Sequence, residues 1–181
     1  MATPVETEVK LPAADAAAAQ RAIEQAGAEL VHPRHLEDNL IFDDRGRFAG
    51  RGCYLRLRRT PHGGRLTWKG PKRVEGGMKV RDEIELGVPE PEALEAILRA
   101  MGLERVFRYQ KYRAEYRLGE LAVTLDETPA GVFLELEGSA DEIRRRVTEL
   151  GYGPQDFVSD SYVELYHAAG GRGDMVFPDT A

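Results

Sequence analysis

Basic and acidic side chains recur along this chain at the two-residue spacing of a β-strand. The cations are Lys10, Arg56, Arg58, Lys69, Arg81, Lys111 and Arg113, and the carboxylates are Glu6, Glu8, Glu83, Glu85, Asp126, Glu135 and Glu137. Arginine forks match phosphate oxygens two at a time, and lysine supplies a compact point charge. So dense a set of cations repels itself unless a polyanion or nearby carboxylates compensate it. Clustered carboxylates hold hard divalent cations such as Mg²⁺, often shared with substrate phosphates. Together the two sets describe a site for a metal–polyphosphate complex, where catalysis rests on positioning and charge neutralisation.

The elements that carry these groups are strands with one charged face. Residues 5–11 read Val-Glu-Thr-Glu-Val-Lys-Leu, so Val5, Val9 and Leu11 point one way and Glu6, Glu8 and Lys10 the other. The pattern returns at Leu55-Arg56-Leu57-Arg58, Trp68-Lys69, Glu83-Ile84-Glu85-Leu86 and Leu134-Glu135-Leu136-Glu137. A single such strand is an ordinary solvated face, and cross-strand ion pairs would also explain mixed signs. Repetition over many strands points instead to a shared polar surface. Closing an antiparallel sheet into a barrel turns that surface inward and removes the edges. Helices must then cover the apolar outside, and helical patterns at 13–27, 90–101 and 140–150 supply the cover. Extended segments are expected at 4–11 (ended by Pro12), 29–43, 53–60, 65–70, 79–88, 104–117, 120–127 and 131–138. A mobile loop is expected at 72–78 and a short helix at 160–168.

The chain has 181 residues, enough for one domain over 1–168, followed by a glycine-rich tail, 169–181, read as loosely ordered. Its net charge of −6 gives no bulk attraction for a nucleic acid polymer or an anionic membrane. The single cysteine, Cys53, makes no internal disulfide and is read as structural or incidental. No stretch reaches the roughly 20 apolar residues of a membrane span, and the start lacks a signal-peptide layout. A cytoplasmic location is the expectation. Trp68, Tyr109, Tyr112 and Tyr116 are assigned to packing, and His32, His35, His62 and His167 to the surface.

Glu6-Thr7-Glu8-Val9-Lys10 resembles the Glu-x-Glu-x-Lys signature of the CYTH superfamily, the triphosphate tunnel metalloenzymes. Companion motifs follow in family order: Leu55-Arg56-Leu57-Arg58, Leu66-Thr67-Trp68-Lys69-Gly70-Pro71, Arg81-Asp82-Glu83, Lys111-Tyr112-Arg113, Thr124-Leu125-Asp126 and Leu134-Glu135-Leu136-Glu137. Ser161-Tyr162-Val163-Glu164-Leu165 is similar to the ending of class IV adenylyl cyclases. The resemblance covers about residues 4–166. It implies an α+β fold, a closed eight-stranded antiparallel β-barrel (a tunnel) with a charged interior and helices outside. It implies a triphosphate held by Lys10, Arg56, Arg58, Lys69, Arg81, Lys111 and Arg113. It implies Mg²⁺ or Mn²⁺ among Glu6, Glu8, Asp126, Glu135 and Glu137, with Glu8, Glu135 and Glu137 holding the principal ion. Lys10, Arg56, Lys69 and Glu135 are the expected catalytic groups. Glu83 would orient the basic groups, and Glu85 could lie outside the site.

Family members either cyclise ATP to cyclic AMP and pyrophosphate or hydrolyse inorganic, thiamine or nucleoside triphosphates. The expected substrate is therefore ATP, tripolyphosphate or thiamine triphosphate, on a monomer or homodimer. The second strand departs from the family pattern. Glu37-Asp38-Asn39-Leu40-Ile41-Phe42-Asp43 lacks the tyrosine with which some triphosphatases activate water. That absence and the Ser161–Leu165 ending favour the cyclase-like reading; a triphosphatase is the alternative, and a binding module without turnover the third.

Overall fold

The computed structural model describes residues 5–178. In chain order the elements are β1 (Val5–Ala13), α1 (Ala16–Gln25), β2 (Glu29–Asp43), β3 (Tyr54–Thr60), β4 (Gly63–Lys69), β5 (Arg73–Glu75), β6 (Met78–Val88), α2 (Pro91–Ala100), β7 (Glu104–Leu118), β8 (Leu121–Thr128), β9 (Gly131–Glu137), α3 (Ala140–Glu149) and α4 (Tyr162–Ala168). Neighbouring strands run in the order β1-β9-β8-β7-β2-β3-β4-β6, and β6 pairs back onto β1 with Glu6 opposite Arg81. All of these pairings are antiparallel, so the sheet is a closed eight-stranded barrel. The short β5 joins β6 where β4 has turned away after Lys69.

Alternation decides which face goes where. Val9, Leu11, Val123, Leu134 and Leu136 point outward and are buried with Ile23 of α1 and Ile143 and Val147 of α3. Leu40, Phe42 and Leu57 form a second outer cluster under Leu98 of α2. Burying each large aliphatic side chain contributes about 1.5–3 kcal/mol, so the helices hold the charged face inward by covering its apolar reverse. Their ends are set locally. The Asp15 side chain accepts from the Ala18 amide at 2.7 Å, Ser139 caps α3, and Pro91 opens α2. Gly64 lets α2 begin against β4, since a Cβ there would lie 2.8 Å from the Pro91 Cβ and 2.9 Å from the Arg58 carbonyl oxygen.

Pro12 does not end β1. It stands opposite Phe133 within the β1–β9 ladder, and lacking an N–H it is confined to a position that needs no ladder donor. The expected mobile loop at 72–78 is a hairpin, with β5 paired to β6 through Gly76-Gly77, both at positive φ. The tail is not loose at Met175. That side chain is fully buried, and its backbone bonds both Arg108 and Gln110 at 2.9 Å. At the other edge of the same barrel end, the Val158 amide donates to the Lys10 carbonyl at 2.9 Å. The segment from 158 to 175 thus ties the β1 edge to the β7 edge, and α4 lies within it. Among the described residues, no helix is long and apolar enough to cross a membrane.

Candidate active site

The barrel interior opens into a cavity of about 840 Å³. Every cation singled out from the sequence lines it: Lys10, Arg56, Arg58, Lys69, Arg81, Lys111 and Arg113. Of the acids, Glu6, Glu8, Glu85, Glu135 and Glu137 line it as well. Glu83 joins Glu6, Glu85 and Glu137 in a smaller recess at one mouth. Strand direction orders these groups along the axis. Glu6, Glu83 and Glu137 stand at one end, the cations form a belt in the middle, and Ile41, Phe107 and α4 stand at the other end.

The belt is held by carboxylates that accept from several cations at once. Asp126 is fully buried, taking Arg113 Nε at 2.7 Å, Arg113 Nη2 at 2.5 Å, Lys111 Nζ at 3.0 Å and the Tyr162 hydroxyl at 2.8 Å. Both its oxygens are occupied by donors of the chain itself. Glu135 contacts Lys10 at 3.1 Å and Arg113 at 2.6 Å. Burial works against the Glu135 charge, but Lys10, Lys111 and Arg113 hold it well below the usual carboxylate range. Lys69 bonds Glu83 and approaches Glu6 at 3.4 Å, and Lys79 pairs with Glu8.

The cations nonetheless remain in excess at the belt. Burial, and next Arg56, push the Arg58 guanidinium below its ordinary range. The buried Nε groups of Arg56, Arg58 and Arg81 have no acceptor. A buried donor without a partner costs about 1–3 kcal/mol, and phosphate oxygens are acceptors of the right charge. At the acidic mouth the imbalance reverses. Burial, followed by a hydrogen bond shared with Glu6, pushes Glu83 up to about 8, and its Oε2 has no partner. Enclosure, then the Glu6 and Glu8 charges, push Glu137 up to about 7 although its side chain reaches solvent. These carboxylates repel one another, and a divalent cation relieves that repulsion. The all-oxygen chemistry of Glu6, Glu83 and Glu137, with Glu8 and Glu135 behind them, is of the kind that suits Mg²⁺ or Mn²⁺, although their oxygens are not all grouped within 4.8 Å of one another as those of His35, Glu37 and Glu115 are.

Several groups in the site escape sequence reasoning. Lys79 lies one strand position beyond the motif containing Arg81. Glu37 is fully buried, 3.0 Å from Arg58 and 3.5 Å from Lys111 in ion pairs that lack hydrogen-bond geometry. Alternation of Glu37 with Asn39 along β2 could have flagged it. Tyr109, assigned to packing, faces inward: Arg56 Nη1 donates to its hydroxyl at 3.3 Å, and it lines the cavity. Its side chain follows the two-residue rhythm of Lys111 and Arg113. Burial raises the Tyr109 hydroxyl, but Arg56 and Lys111 outweigh it and hold it below its ordinary range. Tyr112 and Tyr116 do face outward, the first under the Arg34 guanidinium at 3.6 Å and the second in the outer core. Trp68 likewise packs edge-on against Phe48 at 5.0 Å. Glu85 lies within the site, accepting from Thr67 at 2.8 Å and 3.8 Å from Arg56.

His35 is not a plain surface residue. Its Nε2 lies 4.0 Å from Glu37 and 3.9 Å from Glu115, a grouping compact enough for an ion. Arg58 and Lys111 already neutralise Glu37 there, so this group has less need of a metal than the acidic mouth has.

A closed barrel with a buried cation belt and a carboxylate mouth defines a charged-tunnel fold. The chain belongs to the CYTH domain family, whose model matches residues 5–162. It is 25% identical over 173 residues to a Methanocaldococcus jannaschii protein provisionally named an adenylate cyclase, covering 89% of this chain and 98% of that one. Among solved structures, a Pyrococcus horikoshii protein is 25% identical with a TM-score of 0.74, over 91% of this chain and 99% of its own. A Vibrio parahaemolyticus protein, also provisionally named an adenylate cyclase, shares the fold at TM-score 0.77 and 18% identity, over 92% of this chain and 99% of its own. A Hippeastrum protein, described as revealing a dominant triphosphatase activity despite an adenylyl cyclase name, shares the fold at TM-score 0.67 and 20% identity, over 93% of this chain and 96% of its own.

Proposed function

We propose that this protein is a divalent-metal-dependent enzyme acting on a triphosphate in its tunnel, with a class IV adenylate cyclase-like reaction as the leading assignment. The observation that carries the reading is the charge imbalance along one cavity. Arginine Nε donors stand unsatisfied at the belt, and Glu83 and Glu137 are raised at the mouth. A metal–triphosphate complex answers both demands, and either component alone answers one.

In this reading Lys10, Arg56, Arg58, Lys69, Arg81, Lys111 and Arg113 bind the phosphates, joined by Lys79. Glu6, Glu83 and Glu137, with Glu8 and Glu135, are the residues that would hold Mg²⁺ or Mn²⁺; when bound, the ion neutralises charge on the phosphates. Asp126 serves as the anchor for Lys111 and Arg113, because it is fully buried beneath them and does not line the cavity, whereas Glu8 and Glu135, though paired, do. Arg56 is kept charged by Tyr109, Tyr54 and Glu37 against the effect of burial, and so presents a fixed fork to the substrate. Tyr162 stands beneath Lys10 and Lys111, with their Nζ atoms 4.6 and 5.4 Å from its ring centre, and fixes both lysines toward the cavity.

A second reading, hydrolysis of the triphosphate, is favoured by the position of the acidic mouth. Its carboxylates border solvent at Glu137, where water has access to the metal-holding groups. The behaviour described for the Hippeastrum relative is of this kind. Incubation with ATP, tripolyphosphate and thiamine triphosphate in Mg²⁺ or Mn²⁺ separates the two. Cyclic AMP and pyrophosphate from ATP support the cyclase, and orthophosphate without cyclic AMP overturns it in favour of hydrolysis. A cytoplasmic setting, and a monomer or homodimer, complete the proposal.

A further inference from the structure

His35, Glu37 and Glu115 come together on β2 and β7, two strands that contribute none of the acids of the mouth. The β2–β7 ladder shifts register between His32 and His35, and such a bulge re-aims the side chain beside it. There the His35 Nδ1 lies 2.9 Å from the Pro33 carbonyl oxygen. A carbonyl only accepts, so Nδ1 carries the proton and Nε2 is left to face Glu37 at 4.0 Å and Glu115 at 3.9 Å. Both separations are too long for a hydrogen bond. The three donor atoms all lie within 4.8 Å of one another.

What this group lacks is less a charge than a common partner. Glu37 is fully buried, yet neither of its oxygens has a hydrogen bond, because Arg58 and Lys111 offset its charge without bonding geometry. Among the described residues, Glu115 has no basic group but His35 within ion-pair distance. A ring nitrogen whose lone pair faces two carboxylates is repelled by both, and one divalent ion satisfies all three. Zinc binds imidazole nitrogen and carboxylate oxygen at about 2.0–2.2 Å, so two donors on one ion stand no more than about 4.3 Å apart. The His35 separations fall within that reach, and the Glu115 side chain, 35% exposed, is free to turn and close the set. An Nδ1–H fixed on a backbone carbonyl is the arrangement that orients a metal-binding imidazole. A nitrogen donor among carboxylates suits Zn²⁺ better than Mg²⁺. Glu115 also lines the open cavity, which gives an ion a way in. The geometry points to a zinc-class transition-metal site at His35, Glu37 and Glu115, separate from the Mg²⁺ or Mn²⁺ set of the mouth. It requires no triphosphate, so it stands or falls apart from the tunnel reading.

The test titrates Zn²⁺ calorimetrically into the full-length protein, freed of metal by dialysis against EDTA and then held in excess Mg²⁺ so that the mouth is occupied. One Zn²⁺ per chain is expected. His35→Ala and Glu115→Gln alter side chains that reach solvent, so the barrel stays intact. Each should weaken Zn²⁺ by at least about 10- to 100-fold, the cost of losing even an outer partner of a metal ligand. His62→Ala, on an exposed turn, should leave the affinity unchanged. Long-range ¹H–¹⁵N spectra of the histidine rings give a second readout: Zn²⁺ should move the His35 Nε2 signal while Nδ1 stays protonated. No Zn²⁺ binding, equal affinity in His35→Ala, or loss of binding in Glu137→Gln alone would overturn the site. So would a His35 ring protonated on both nitrogens and unmoved by Zn²⁺, since a proton then bridges the carboxylates in place of the ion.

Discussion

Asp126 gives the sharpest test of how the cation belt is held. It is fully buried, and its oxygens accept from Lys111, from two nitrogens of Arg113 and from Tyr162. Asp126→Asn keeps the shape but replaces one acceptor by an NH₂ group, which must face a cation or the tyrosine hydroxyl. Lys111 and Arg113 then lose their main counter-charge while remaining buried. Breaking a buried ion pair by removing one partner costs about 3–5 kcal/mol. At about 2–4 °C per kcal/mol for a chain of this size, the unfolding midpoint drops by about 6–20 °C. A triphosphate supplies the missing negative charge, so saturating tripolyphosphate should raise the midpoint of the variant more than that of the wild type. Thermal unfolding followed by circular dichroism, with and without tripolyphosphate, reads both effects. If Asp126 were instead a metal ligand, the variant would lose metal affinity and keep its midpoint. A metal-free midpoint within about 2 °C of wild type would refute the reasoning.

Other consequences concern the mouth, the belt and the shell. A carboxyl raised to about 8, as Glu83 is, weakens the metal-free fold as pH climbs from the ordinary carboxylate range through that value, because the unfolded chain ionises first. Glu83→Gln should therefore gain stability relative to wild type between pH 5 and pH 8.5 in urea titrations, and a gap that does not change with pH contradicts the assignment. Arg56→Ala should weaken triphosphate binding by about 10- to 100-fold, the scale of a lost charge-assisted hydrogen bond; calorimetric affinity equal to wild type would remove Arg56 from the site. Ile23 is fully buried under the barrel's outer face, so Ile23→Ala should cost about 2–5 kcal/mol in chemical unfolding. A smaller loss would mean that α1 contributes little to holding the sheet closed.

The sequence made the barrel legible through its polarity. A strand such as β9, with Glu135 and Glu137 alternating with Leu134 and Leu136, has only two ways to bury its leucines, and closure with outer helices satisfies every such strand at once. The inward cations Lys10 and Arg56 follow from the same rule, because the apolar neighbours Val9, Leu11, Leu55 and Leu57 face the opposite way. What alternation leaves open is how the charges pair. Whether Asp126 faces a metal or Arg113 depends on cross-strand register, which places Arg113 directly opposite Asp126. Lys79 carries no flanking signature comparable with Glu6-x-Glu8-x-Lys10, so only the closed barrel brings it in, and Glu37 has only its alternation with Asn39 to mark it. Tyr109 is ambiguous for another reason. An aromatic ring on a strand packs equally well on either face, and only its two-residue offset from Lys111 decides for the interior. Met175 lies in a glycine-rich stretch whose composition gives no hint that an isolated bridge to Tyr109 anchors it.

The central claim is that a metal and a triphosphate meet in this tunnel and react there. Glu135 joins Lys10 and Arg113 at the centre of the site. The most direct measurement is product formation from ATP in Mn²⁺ by the wild type, by the wild type in EDTA and by Glu135→Gln. The account predicts product from the first alone, with Glu135→Gln still folded by circular dichroism. Full turnover by Glu135→Gln would contradict it.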